Sequence, residues 1–123
     1  MSEKTTRDSI LIIDDDSDLR AMIDAMAGIY GVRVLQAADC STGIRILQRE
    51  HRRIKLIFLD YFLPGMTLGQ CATALLAKAG PIPVILLTAA YNPAARAAEL
   101  HIDRWMAKPL DMAQLTQFLT ATP

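Results

Sequence analysis

Four short apolar runs, each ending in a side chain that can do chemistry, constrain this chain more than any other feature. Ile10-Leu11-Ile12-Ile13 stops at Asp14-Asp15, and Leu56-Ile57-Phe58-Leu59 stops at Asp60. Val84-Ile85-Leu86-Leu87 stops at Thr88, and Trp105-Met106-Ala107 stops at Lys108-Pro109. Runs this short and this apolar are the pattern of parallel strands covered on both faces. Read so, three carboxylates, a hydroxyl and an ammonium gather along one edge of one sheet, where open α/β sheets bind ligands. Oxyanions facing a lysine suit a hard divalent cation and a phosphoryl group.

A chain of 123 residues fits one domain with one core. Its charges sum to zero, which argues against direct nucleic-acid binding through a cationic surface. No apolar stretch is long enough to span a bilayer, and Met1 to Ser9 lacks the apolar core of a signal peptide, so no membrane partner and a cytoplasmic location are expected. Cys40 and Cys71 belong to no CxxC or Cys/His cluster and read as two reduced thiols at helix edges.

Between the runs, helical periodicity alternates with turn signals. Residues 1–9 read as a flexible tail. Leu19, Met22, Ile23 and Met26 mark a first helix, with Asp16 as its cap rather than a third site acid. Val32–Leu35 is a second strand that alternates more and suits a place nearer the sheet edge. Helices follow over about 41–49, 68–78, from Pro93 behind its cap Asn92, and behind Asp111. Leu63-Pro64-Gly65-Met66 is a turn. Five βα units with right-handed crossovers give an α/β, doubly wound sheet with helices on both faces. The basic run from Arg49 to Lys55 lacks interleaved aromatics and reads as a solvated loop; His51 and His101 lack metal-ligand spacing.

ILIIDDD, FLDYFLPGM, ILLTAA and WMAKP, in this order and spacing, resemble the receiver domain of two-component response regulators, over about Ile10 to Leu119. The resemblance implies a flavodoxin-like fold of five parallel strands in order 2-1-3-4-5, a receiver domain over 10–120, and a signalling switch rather than an ordinary enzyme, one that promotes its own phosphorylation and dephosphorylation. It implies Asp60 as phosphoacceptor, with Asp14, Asp15 and the backbone carbonyl of Phe62 joining Asp60 in holding Mg²⁺. It implies Thr88 as the hydroxyl that bonds the phosphoryl group, Lys108 as its cationic partner, a cis Lys108–Pro109 peptide, and Trp105 as the switching aromatic. The implied partners are a histidine kinase or phosphotransfer protein, and an output protein or domain, or a second copy, at the surface formed by the fourth helix, fifth strand and fifth helix.

The chemistry supports this reading independently. Two carboxylates at ~4 Å repel by about 4 kcal/mol at an effective dielectric of 20, so such a cluster needs a cation or a lysine. Oxygen-only ligands favour Mg²⁺ over zinc. An aspartate-nucleophile phosphatase of the haloacid dehalogenase type would need an acid at Phe62, and a flavin binder would not place Asp14-Asp15-Asp16 in its phosphate loop. A receiver-shaped module independent of phosphorylation is the remaining alternative. Three departures from the pattern stand out. Gly69 follows Met66 one residue late, which implies an insertion or a glycine inside the third helix. His101 precedes the fifth strand where glycine is usual, which suggests a rebuilt turn. Trp105 is bulkier than the usual tyrosine or phenylalanine, which opposes an inward swing. Phe62 and Ala90 offer no group to orient water, which favours a long-lived phosphoryl group.

Overall fold

A computed structural model describes residues 7–63 and 67–121. The elements alternate: β1 (Ser9–Ile13), α1 (Ser17–Ile29), β2 (Arg33–Ala37), α2 (Cys40–Glu50), β3 (Ile54–Asp60), α3 (Leu68–Ala79), β4 (Val84–Thr88), α4 (Pro93–Glu99), β5 (Arg104–Ala107) and α5 (Met112–Thr120). The five strands form one parallel sheet in order β2-β1-β3-β4-β5. Hydropathy sets this order. Every residue of β1 and β4 is buried, and all but one of β3, so these three occupy the centre. β2 and β5 carry exposed residues and take the edges.

Because side chains alternate along a strand, the central strands feed two cores. Leu11, Ile13, Ile57, Leu59 and Leu86 pack against α2, α3 and α4 through Leu47, Cys71, Leu75 and Ala97. Ile10, Ile12, Phe58, Ile85 and Leu87 pack against α1 and α5 through Ile23, Ala27, Leu115 and Leu119. The helices begin at side-chain caps: Asp16, Asp39, Thr67, Asn92 and Asp111 each accept a backbone N–H from the first turn. α2 crosses closely over the end of β1. A Cβ on Gly43 would lie 2.5 Å from Ile13 Cδ1, so a larger residue there would force the Ile13 side chain to shift.

The structure corrects the sequence reading at several points. Of the tail expected over residues 1–9, residues 1–6 lie outside the described residues, while Ser9 opens β1 and the Arg7 guanidinium donates to the carbonyls of His51 and Ile54, so this end of it is held to the domain. Cys40 and Cys71 are not reduced thiols; they form a disulfide between the first turns of α2 and α3, with Cα atoms 6.0 Å apart. Sequence spacing does not show that two helix starts 31 residues apart share one face of the sheet. Gly69 lies inside α3. His101 adopts a left-handed backbone (φ 59°) and keeps the turn. The N–H groups of His101 and Ile102 close onto the carbonyls of Ala98 and Ala97, and burial of Ile102 holds the chain there. The turn expected at Leu63-Pro64-Gly65-Met66 falls mainly on residues 64–66, outside the described residues. Among the described residues, no helix is long and apolar enough to cross a membrane.

Candidate functional site

Strand register brings the site together. Ile13 pairs with Leu59, so Asp14 and Asp60 follow side by side. Asp60 pairs with Leu87 and Thr88 with Ala107, so Thr88 and Lys108 complete the row. Backbone bonds extend the lacing past the strand ends: Asp14 N–H to the Ala37 carbonyl (3.0 Å), Tyr61 N–H to Leu87 (2.8 Å) and Lys108 N–H to Thr88 (2.8 Å).

Asp14 is fully buried and engaged at both oxygens. Its Oδ1 accepts from the Asp16 N–H at 2.9 Å, and its Oδ2 from Lys108 Nζ at 2.8 Å. Lys108 Nζ also donates to Asp60 Oδ1 at 3.1 Å, so one ammonium bridges two carboxylates. The Phe62 N–H donates to the same Oδ1 at 3.3 Å. Among the described residues, both hydrogen bonds to Asp60 land on Oδ1, which leaves Oδ2 for an incoming group. Asp15 is exposed at the rim. One carboxylate oxygen from each of Asp14, Asp15 and Asp60 lies within 4.8 Å of the others. Three hard oxygen donors, one of them exposed, fit a hydrated divalent cation.

Burial, then repulsion from Asp14, raises the Asp60 carboxyl from 3.8 to about 6, against the pull of Lys108 and the Phe62 N–H. At neutral pH it remains a carboxylate, and a more basic one than usual. Burial alone would lower Lys108, but its hydrogen bonds to Asp14 and Asp60 outweigh that and hold it above the ordinary lysine value. Thr88 is fully buried, and its Oγ accepts from the Ala90 N–H at 2.8 Å, which leaves its hydrogen to donate. The Lys108–Pro109 peptide is cis. Phe62 is 61% exposed and stacks edge-on against Tyr61. With Asp15, Leu63 and Leu68 the two rings line a cleft of about 450 Å³ beside the acids. Trp105 stands apart from the acids, on the face of β5 that Thr88 and Leu86 share, and is 37% exposed.

Arg20 was not apparent from the sequence as a site residue. Its guanidinium donates to the Asp14 carbonyl at 2.7 Å and to Gln36 Oε1 at 3.1 Å, fixing the acidic turn against β2. It is the only cation of α1, a signal that a solvated helix surface would also give.

A doubly wound sheet with an acid cluster, a bridging lysine and a buried hydroxyl at its carboxyl edge defines a signalling receiver. The chain belongs to the response regulator receiver domain family, whose model matches residues 10–120. It is 32% identical over 112 residues to a probable transcriptional regulator ycf27 of Porphyridium aerugineum (89% of this chain, 45% of the relative). It is 33% identical over 109 residues to that of Cyanophora paradoxa (86% and 44%). The chain thus spans less than half the length of these curated relatives. Among solved structures, the chemotaxis response regulator CheY4 of Vibrio cholerae superposes with a TM-score of 0.78 at 23% identity, covering 90% of this chain and 94% of that one. The signal receiver domain of an HD domain-containing protein from Pseudomonas fluorescens gives 0.79 at 22% identity, covering 97% and 88%.

Proposed function

We propose that this receiver, residues 10–120, is the phosphoacceptor switch of a two-component relay, taking a phosphoryl group onto Asp60 from a phosphohistidine of a kinase or phosphotransfer protein. The observation that carries the reading is Lys108 bridging Asp14 and Asp60 at the carboxyl edge of the sheet. Asp60 Oδ2 attacks phosphorus in line as the bond to the imidazole nitrogen breaks. Lys108 lies where it neutralises charge on the equatorial oxygens, and Thr88 turns its hydroxyl hydrogen to one of them. Asp14, Asp15, Asp60 and the Phe62 carbonyl are the residues that would hold Mg²⁺, which would supply a second positive charge to the site. Phe62 and Ala90 place no base or amide near the acyl phosphate, which favours slow hydrolysis.

The response is carried by α4, β5 and α5. Trp105 and Tyr91 (93% exposed) present apolar surface there, and the alanines of α4 allow close approach of an output protein or domain, or a second copy. A cytoplasmic setting suits phosphoryl transfer from an intracellular kinase. The test is incubation with acetyl phosphate and Mg²⁺, followed by intact mass and mapping of the adduct. One phosphoryl group on Asp60, lost with EDTA and in Asp60→Ala, is the expected result. Labelling that persists in Asp60→Ala or in EDTA overturns it. A chain that never accepts phosphate favours a receiver-shaped interaction module instead.

A further inference from the structure

The Cys40–Cys71 disulfide joins the two supports of the acidic site. Cys40 opens α2, three residues after Ala37, whose carbonyl holds the Asp14 N–H. The same helix presses Gly43 onto Ile13, the residue before Asp14. Cys71 sits in the first turn of α3, the helix that follows the segment leaving Asp60, and its N–H closes that turn onto the Thr67 carbonyl. The bridge therefore ties the element behind Asp14 to the element after Asp60. Both cysteines are 1% exposed, so a reductant reaches the bridge only when the helix starts that carry it open locally. In the cytoplasmic setting proposed above, disulfides are mostly transient and catalytic or redox-sensing.

We propose that Cys40 and Cys71 form a reversible thiol switch whose oxidised form holds α2 and α3 in the arrangement that speeds phosphoryl acceptance; the second half of this rests on Asp60 being the phosphoacceptor. A small dithiol supplies two electrons and two protons. Its thiolate attacks one sulfur, the S–S bond breaks to a mixed disulfide, and its second thiol closes a cyclic disulfide and leaves two protein thiols. A small-molecule disulfide such as oxidised glutathione reverses this and leaves as two thiols.

The test compares native protein before and after millimolar dithiol, with thiols counted by alkylation and mass, alongside the Cys40→Ala/Cys71→Ala variant. Three results are expected. Two thiols appear without denaturant and vanish again with oxidised glutathione. Amide exchange in the first turns of α2 and α3 speeds at least tenfold on reduction, while β1 and β4 stay protected. Labelling by acetyl phosphate slows threefold or more on reduction, and the double variant labels at the slow rate whatever the reductant. A bridge that opens only in denaturant is a permanent staple and overturns the proposal, as do unchanged exchange at both helix starts or equal labelling rates in the two redox states. Reversible thiols with the expected change in exchange, but no labelling in either state, uphold the clamp and remove Asp60 as acceptor.

Discussion

At the scale of single residues, Asp60 pays for its position with a proton affinity that the unfolded chain lacks. Its carboxyl titrates near 6 in the fold against 3.8 when unperturbed, because burial and Asp14 oppose its charge. The native state then binds more protons than the unfolded state between about pH 4 and pH 6, and the stability this group contributes is lost as pH rises through that window. In metal-free protein, Asp60→Asn should gain on the wild type by roughly 2–3 kcal/mol between pH 4 and pH 7. Parallel urea titrations across that range check this, and a constant difference between the two proteins refutes it. Asp14, Asp60, Thr88 and Lys108 were legible in the sequence because each directly follows or ends an apolar run. Arg20 was not: a cation on a helix is ordinary until the carbonyl it reaches is known.

The strands and helices show where periodicity suffices and where it does not. All ten elements could be read from apolar spacing and caps, since burial on one or both faces leaves a period in the sequence. The disulfide leaves no period, and adjacency of α2 and α3 exists only once the sheet has formed. Closing a loop across 31 residues restricts the unfolded chain enough to stabilise the fold by about 3–4 kcal/mol. Reduction should therefore lower the urea midpoint by roughly 1–3 M at the usual slope for a small domain, and overlapping unfolding curves would show that the bridge adds no stability. β5 offers the complementary experiment. Trp105 is the only tryptophan, lies half-exposed on an edge strand, and shares a face with Thr88. Beryllofluoride with Mg²⁺, standing in for the acyl phosphate, should draw Thr88 inward and change the wavelength or iodide quenching of Trp105 emission. The change should vanish in Asp60→Ala and weaken in Thr88→Ala. Unaltered emission in protein shown by mass to be phosphorylated moves the responding surface away from β5.

For the molecule as a whole, the acid cluster makes the fold sensitive to cations. A ligand that binds only the native state adds about 2.7 kcal/mol at one hundred times its dissociation constant. Millimolar Mg²⁺ should accordingly raise the melting temperature, and Asp15→Asn should remove most of that gain, since Asp15 is the exposed member of the three. Identical melts with and without Mg²⁺ count against a metal site. The strand order also bears on how the chain is made. β1 is synthesised before the other four strands of the sheet, yet it lies inside the sheet, between β2 and β3. At about 5–20 residues per second, roughly 2–10 s pass between completion of Ile13 and completion of Asp60. Throughout that interval a strand that is apolar from Ile10 to Ile13 waits with its β3 edge unpaired, which makes the nascent chain, rather than the finished domain, the form most in need of a chaperone.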